Sequence, residues 1–123
     1  MSLGPEGGDL WYSHSDQRLK RDISELPAGT LSKVKKLPVR RFRFRESDRR
    51  QTGFIAQEVK ELFPEAVREI DGYLAVDYAR FGVYSVAAIK ELSHASDLLK
   101  RENGELKKTL ADLLTRVESL ERR

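Results

Sequence analysis

Leucine recurs every seventh residue at Leu92, Leu99, Leu106, Leu113 and Leu120, and between these d positions the a positions are Ile89, Ser96, Asn103, Leu110 and Val117. A helix with this period carries an apolar stripe along one side, and the stripe is stable in water only when partner helices cover it. The pattern therefore predicts a parallel coiled coil over the C-terminal third. The flanking charges agree with it, since a parallel pairing sets Glu102 against Lys107 and Arg116 against Glu121, both of opposite sign. Asn103, and the weak Ser96 one heptad earlier, cost stability and fix register, and a single Asn at a with Leu at every d leans toward two strands.

Upstream of the heptads the period shortens and breaks. Ser32 to Lys36 reads as a short helix or turn closed by Pro38, and Val39 to Arg45 as a strand in which Phe42 and Phe44 alternate with Arg41, Arg43 and Arg45. Gly53 to Ile55 reads as a second short strand. A helix over Ala56 to Phe63 follows, with Ile55, Val59, Leu62 and Phe63 on one side and Pro64 as its stop. Val67 to Ile70, the turn pair Asp71-Gly72, and Tyr73 to Asp77 form the strongest hairpin signal in the chain. From about Tyr78 a helix begins whose early apolar residues, Phe81, Val83, Val86 and Ala87, are expected to pack on the hairpin before the heptads take over. The fold class is thus α+β, a small hairpin-containing unit with short helices feeding a long C-terminal helix.

Length and composition limit what this unit does. Of 123 residues, only about 80 lie outside the coil, a size at which a single core is marginally stable alone and oligomerisation supplies what it lacks. With no cysteine, disulfides, thiolate metal sites and thiol nucleophiles are excluded, and His14 and His94 lack ligand spacing, so no metal and no cofactor is expected. No apolar run reaches the roughly 20 residues that span a bilayer, and no signal peptide is recognisable, so no membrane partner is expected. Met1 to Gly8 is glycine-rich and reads as a leader or linker. The net charge of +3 conceals a basic stretch, with nine Lys and Arg between Lys33 and Arg50 against Glu46 and Asp48. Because Gly53, Pro64 and a turn separate that stretch from the heptads, one continuous basic zipper helix is excluded, and a solvated strand face is preferred to a nucleic-acid site.

The candidate chemistry lies at Ser15 and Lys20. A neutral lysine can take the proton of a serine hydroxyl and make it a nucleophile. Lysine normally titrates near about 10.4, so the base needs burial or neighbouring positive charge, for which Arg18 and Arg21 are candidates. Five residues along a regular helix turn a side chain by about 140°, and a fully extended chain would set the pair about 16 Å apart. Either the segment loops, or the lysine comes from a neighbouring copy, which would tie the reaction to assembly.

Five segments then agree in order with one known family. Ser-Asp-Gln-Arg-Leu-Lys-Arg-Asp-Ile from Ser15, Gly-Phe-Ile-Ala-Gln-Glu-Val from Gly53, Phe-Pro-Glu-Ala-Val from Phe63, Val-Asp-Tyr from Val76 and Ala-Ile-Lys-Glu-Leu from Ala88 resemble the peptidase S74 family. These are the C-terminal intramolecular chaperone domains of phage tail spikes, tail fibres and endosialidases, also found in myelin regulatory factor. The resemblance implies a domain that trimerises an upstream fibre or spike portion of its own chain, assists its folding, and releases itself by autoproteolysis, in a phage within the host cytoplasm. It places the catalytic pair on Ser15 and Lys20 and the cut beside Ser15, among His14, Ser15 and Asp16. Asp16 and Arg18 are expected to shape the loop, and Gln57, Glu58 and Asp77, taken as buried, to orient Lys20 or brace the fold. The expected organisation is residues 1–14 as leader, 15–84 as chaperone and autoprotease, and 85–123 as the oligomerisation helix, with Ile89, Leu92, Leu99, Asn103, Leu106, Leu110, Leu113, Val117 and Leu120 on its seam. The resemblance points to a homotrimer where Asn103 points to a dimer. A non-cleaving trimerisation module is the alternative function, and a basic nucleic-acid-binding oligomer a distant one.

Overall fold

The computed structural model describes residues 12–123, so most of the expected leader, residues 1–11, lies outside the described residues. Helix α1, Thr30–Lys36, is followed by strands β1, Arg40–Phe42, and β2, Gln51–Gly53, then helix α2, Ala56–Leu62. Strands β3, Val67–Ile70, and β4, Tyr73–Val76, lead into helix α3, Arg80–Glu121. The strands form two separate antiparallel hairpins. Asp71 and Gly72 both have positive φ, 52° and 83°, which is the type I′ turn that two-residue hairpins favour. The first hairpin, not expected as a pair, sets Arg40 against Gly53; β1 is shorter than the expected Val39–Arg45 because its basic tail passes into a turn, and β2 is Gln51–Gly53 rather than Gly53 to Ile55.

One small core joins these pieces. Val59 and Phe63 are fully buried, with Leu37, Ala66 and Tyr84 around them. Phe63 stacks on Tyr84 at 4.4 Å between ring centres and meets Phe81 edge-on at 5.4 Å, and Phe81 continues to Phe54 at 4.8 Å. Aromatic pairs of this kind stabilise by about 0.5–1.5 kcal/mol beyond the area they bury. Pro64 ends α2 and opens a single 3₁₀ turn, Pro64–Ala66, so the chain reverses into β3 directly beneath Phe63. At the start of α3 the packing face differs from expectation. Phe81, Tyr84 and Ala88 turn inward, whereas Val83 and Val86 are exposed, because the neighbours of α3 here are α1 and α2 as well as the hairpin.

Two contacts lock the elements to one another. Glu91 of α3 accepts hydrogen bonds from the backbone N–H of Gly29 at 2.7 Å and of Leu31 at 2.6 Å, satisfying free donors at the start of α1. Gly29, at φ 117°, adopts a backbone conformation in which a side chain would be strained. Beside the first hairpin, Tyr78 stacks on Phe54, and its hydroxyl accepts from the Phe54 N–H at 2.9 Å. A Cβ on Gly53 would stand 2.6 Å from that hydroxyl, so the backbone comes close there because residue 53 has no side chain.

Beyond Glu91, α3 leaves the globular unit as a single projecting helix. Its 42 residues extend about 63 Å at 1.5 Å per residue. Leu92, Leu99, Leu106, Leu113 and Leu120 lie on one stripe and are all exposed, Leu106 at 65 %. No helix among the described residues is long and apolar enough to cross a membrane.

Candidate active site

The segment before α1 looks unstructured by composition, yet it contains one tight turn. Asp16 sits in extended backbone just before the 3₁₀ turn Gln17–Leu19, and its carboxylate accepts from the Arg18 N–H at 2.9 Å. The same carboxylate takes two further bonds from the Arg18 guanidinium, at 3.2 and 2.9 Å. This is an Asx-type cap reinforced by a forked ion pair. The guanidinium bonds, and then the backbone N–H, hold the Asp16 carboxyl below the usual aspartate range.

The turn decides where Lys20 goes. Its backbone N–H donates to Gln17 O at 3.1 Å and its backbone then becomes extended, folding the side chain back toward the start of the segment. Lys20 Nζ lies 2.5 Å from Ser15 Oγ. Of the two arrangements open to the sequence, the looped one is found, with both groups supplied by one chain. Arg18 is bound to Asp16, and the nearest acid to Arg21 is Asp22, at 3.9 Å. Both arginines offered as charged neighbours of Lys20 thus face carboxylates of their own. Residues 12–28 are exposed throughout, the pair included.

The other residues expected to support the site make contacts of their own. Gln57 and Asp77 are exposed, and Glu58 is half-buried, so the expectation of buried polar residues behind Lys20 is corrected. Glu58 accepts two bonds from the Arg40 guanidinium, at 3.1 and 2.6 Å, and braces the first hairpin against α2. That fork holds the Glu58 carboxyl below its ordinary value. Asp77 accepts from the Arg80 N–H at 3.3 Å and from Arg80 Nε at 3.4 Å, which starts α3. The polarity at these positions serves strand, helix and cap, because α2 turns the side chains of 57 and 58 away from the core that Val59 and Phe63 fill.

Sequence reasoning missed a second polar group. Tyr84 OH donates to Glu65 Oε1 at 2.6 Å in a part-buried setting. The bond lowers the carboxyl of Glu65, while burial first and that same bond second raise the Tyr84 hydroxyl. Their separation of 19 residues carries no local signal. Among the described residues no group of three or more acidic, His or Cys side chains is placed to hold a metal.

Residues 15–68 match the model of the peptidase S74 family, described as chaperone of endosialidase. The match starts on Ser15 and contains Lys20. Over 101 residues the chain is 35 % identical to myelin regulatory factor homolog 1 of Caenorhabditis elegans, an alignment covering 69 % of this chain and 11 % of that protein. Over 99 residues it is 34 % identical to the long tail fiber protein Gp37 of Enterobacteria phage M1 and, equally, of phage Ox2, covering 72 % of this chain and 39 % of each fibre protein. The chain therefore spans well under half the length of these relatives.

Proposed function

Through residues 15–68 the chain belongs to the peptidase S74 family, the chaperones of endosialidase, and from this footing we propose that it is the assembly chaperone of a longer fibre-like protein, which it leaves by cutting its own chain beside Ser15. The chaperone role is supported by the family and by the likeness to a phage long tail fiber protein. The cut is supported by one observation above all, the 2.5 Å approach of Lys20 Nζ to Ser15 Oγ within a turn built for it by Asp16 and Arg18.

The chemistry follows from that pair. Lys20, once neutral, takes the proton from Ser15 Oγ. The alkoxide attacks the carbonyl carbon of His14 through a five-membered ring. The His14–Ser15 C–N bond breaks, the Ser15 nitrogen receives the proton from Lys20, and the His14 acyl group is now an ester on Ser15. Water hydrolyses the ester, leaving a carboxylate on His14 and restoring the Ser15 hydroxyl. Attack of Ser15 on its own carbonyl would require a strained four-membered ring, so the bond before Ser15 is preferred.

Assembly supplies what the isolated pair lacks. A lysine acts as a base only when it has given up its proton, and burial favours the neutral form. Three copies joined along the exposed leucine stripe of α3 bring the three globular units side by side and enclose the Ser15 turns. Cutting is then linked to correct assembly, which is the useful order for a chaperone. The test is the intact mass, under denaturing conditions, of freshly made wild type beside Ser15→Ala. Loss of residues 1–14 from the wild type alone establishes the cut and its position. If both stay whole as stable oligomers, the domain assembles a fibre without cutting.

A further inference from the structure

The β1–β2 hairpin carries charge that the proposed self-cleavage leaves unused. Arg41, Arg43, Arg45, Arg49 and Arg50 are all exposed, and among the described residues none of their guanidiniums pairs with a carboxylate. Arg18, Arg21, Arg40 and Arg80, by contrast, each face one. We propose that this hairpin is a binding site for single-stranded nucleic acid, in which the free arginines hold successive phosphates and Phe44 stacks on a base. The inference does not depend on self-cleavage, because the hairpin lies outside the Ser15 turn.

The place where the ladder ends carries the argument. Phe42 closes β1 and pairs with Gln51, which opens β2. Solvating the outer face of a strand accounts for Arg41, which lies within the ladder. It does not account for Arg43, Arg45, Arg49 and Arg50, which lie in the connecting loop 43–50 with only Glu46 and Asp48 to offset them. That loop has its own internal bonds. The Ser47 N–H donates to Phe44 O at 2.9 Å, and the Arg49 N–H donates to Ser47 Oγ at 3.1 Å. Arg43 and Arg45 on the outward arm and Arg49 and Arg50 on the return arm therefore share one narrow hairpin end.

The residue types select the ligand. Every basic residue from 40 to 53 is arginine, whose planar fork of donors suits phosphate two bonds at a time. Carboxylates accept the same fork, so charge alone does not separate a phosphate chain from an acidic protein surface. Phe44 does separate them. Its side chain is 61 % exposed in the middle of the arginines, and Phe42 meets it edge-on at 5.4 Å between ring centres. Cationic side chains around an open aromatic ring are the arrangement that holds single strands, because every base has a face to stack and every nucleotide brings a charge. A duplex hides those faces in its own stack, which favours the single strand.

The test uses the full chain and a fluorescent single-stranded DNA of about 12 nucleotides, with binding read by anisotropy over a range of salt. The expected slope of log affinity against log salt is about −3, since each phosphate neutralised on a single strand contributes about −0.7. The triple variant Arg43→Gln, Arg45→Gln, Arg49→Gln is expected to bring that slope to about −1. Phe44→Ala is expected to weaken binding by about fivefold to a hundredfold with the slope kept. Both sets of residues are exposed and lie beyond the ladder, so thermal midpoint and oligomer mass are expected to stay at wild-type values. Polyglutamate of matched charge that competes as well as unlabelled DNA, with Phe44→Ala binding as tightly as wild type, gives the loop to an acidic protein surface and overturns the proposal. A fall in oligomer mass in the triple variant makes the loop a contact between copies and overturns it too. So does undetectable binding at low salt, or binding that the triple variant leaves unchanged.

Discussion

At the residue scale the candidate site is a six-residue loop, Ser15 to Lys20, whose geometry comes from short-range bonds. Asp16 caps the turn, Arg18 forks onto Asp16, and Lys20 returns to Ser15. The role proposed for Lys20 is that of a base, so its replacement by a side chain of similar reach that does not lose its proton is the sharpest test. Lys20→Arg keeps a donor within reach of Ser15 Oγ, yet a guanidinium stays protonated in proteins. The expected outcome is a chain that assembles with wild-type stability and is not cut, read from intact mass and from the oligomer's mass in solution. Cleavage of Lys20→Arg at the wild-type rate would remove Lys20 from the base role. The identities of Ser15 and Lys20 were legible from the family motif, whereas their contact was not, since either a loop or a second chain satisfied the spacing.

At the element scale α1 depends on α3 more than on its own sequence. Seven residues are too few for a helix to persist alone in water, and its first turn is held by Glu91 across a separation of about 60 residues. Hydrogen bonds from the Gly29 and then the Leu31 N–H hold the Glu91 carboxyl below its ordinary value. A depressed folded-state value means that the contact stabilises above the ordinary glutamate value of about 4.3 and is lost as pH falls through the lower folded value. Glu91→Gln removes the charge that favours these bonds. Its thermal midpoint is expected below wild type at neutral pH, with the difference shrinking as both are acidified below the ordinary glutamate range. A constant difference across that range would show that the charge contributes nothing. The second hairpin, α2 and the long helix were legible within a few residues, because each has its own local signal in Asp-Gly turn, Pro64 stop or heptad, whereas the pairing of β1 with β2 had none. Nothing local announces the Glu91 clamp, nor the exchange of Val83 and Val86 for Tyr84 and Ala88 on the buried face of α3.

At the scale of the whole molecule a small core carries a helix of about 63 Å whose apolar stripe lies open. A stripe of exposed leucines along it is expected to be an association surface. The double variant Leu106→Glu with Leu113→Glu introduces like charges along it, and is expected to give a monomer by sedimentation that retains its hairpins and stays uncut. Self-cleavage of that monomer at an undiminished rate would separate cutting from assembly. The sequence by itself determined the α+β class, the second hairpin and its turn, the long C-terminal helix with its leucine stripe, and the family motif that contains Ser15 and Lys20, because each depends on neighbours within a heptad or a turn. Only the tertiary structure decided that Lys20 reaches Ser15 within one chain, that Glu58 pairs with Arg40 and Asp77 with Arg80, and that Glu91 clamps the start of α1. Those outcomes depend on which distant backbones the core of Val59, Phe63 and Tyr84 brings together, and no local periodicity records that.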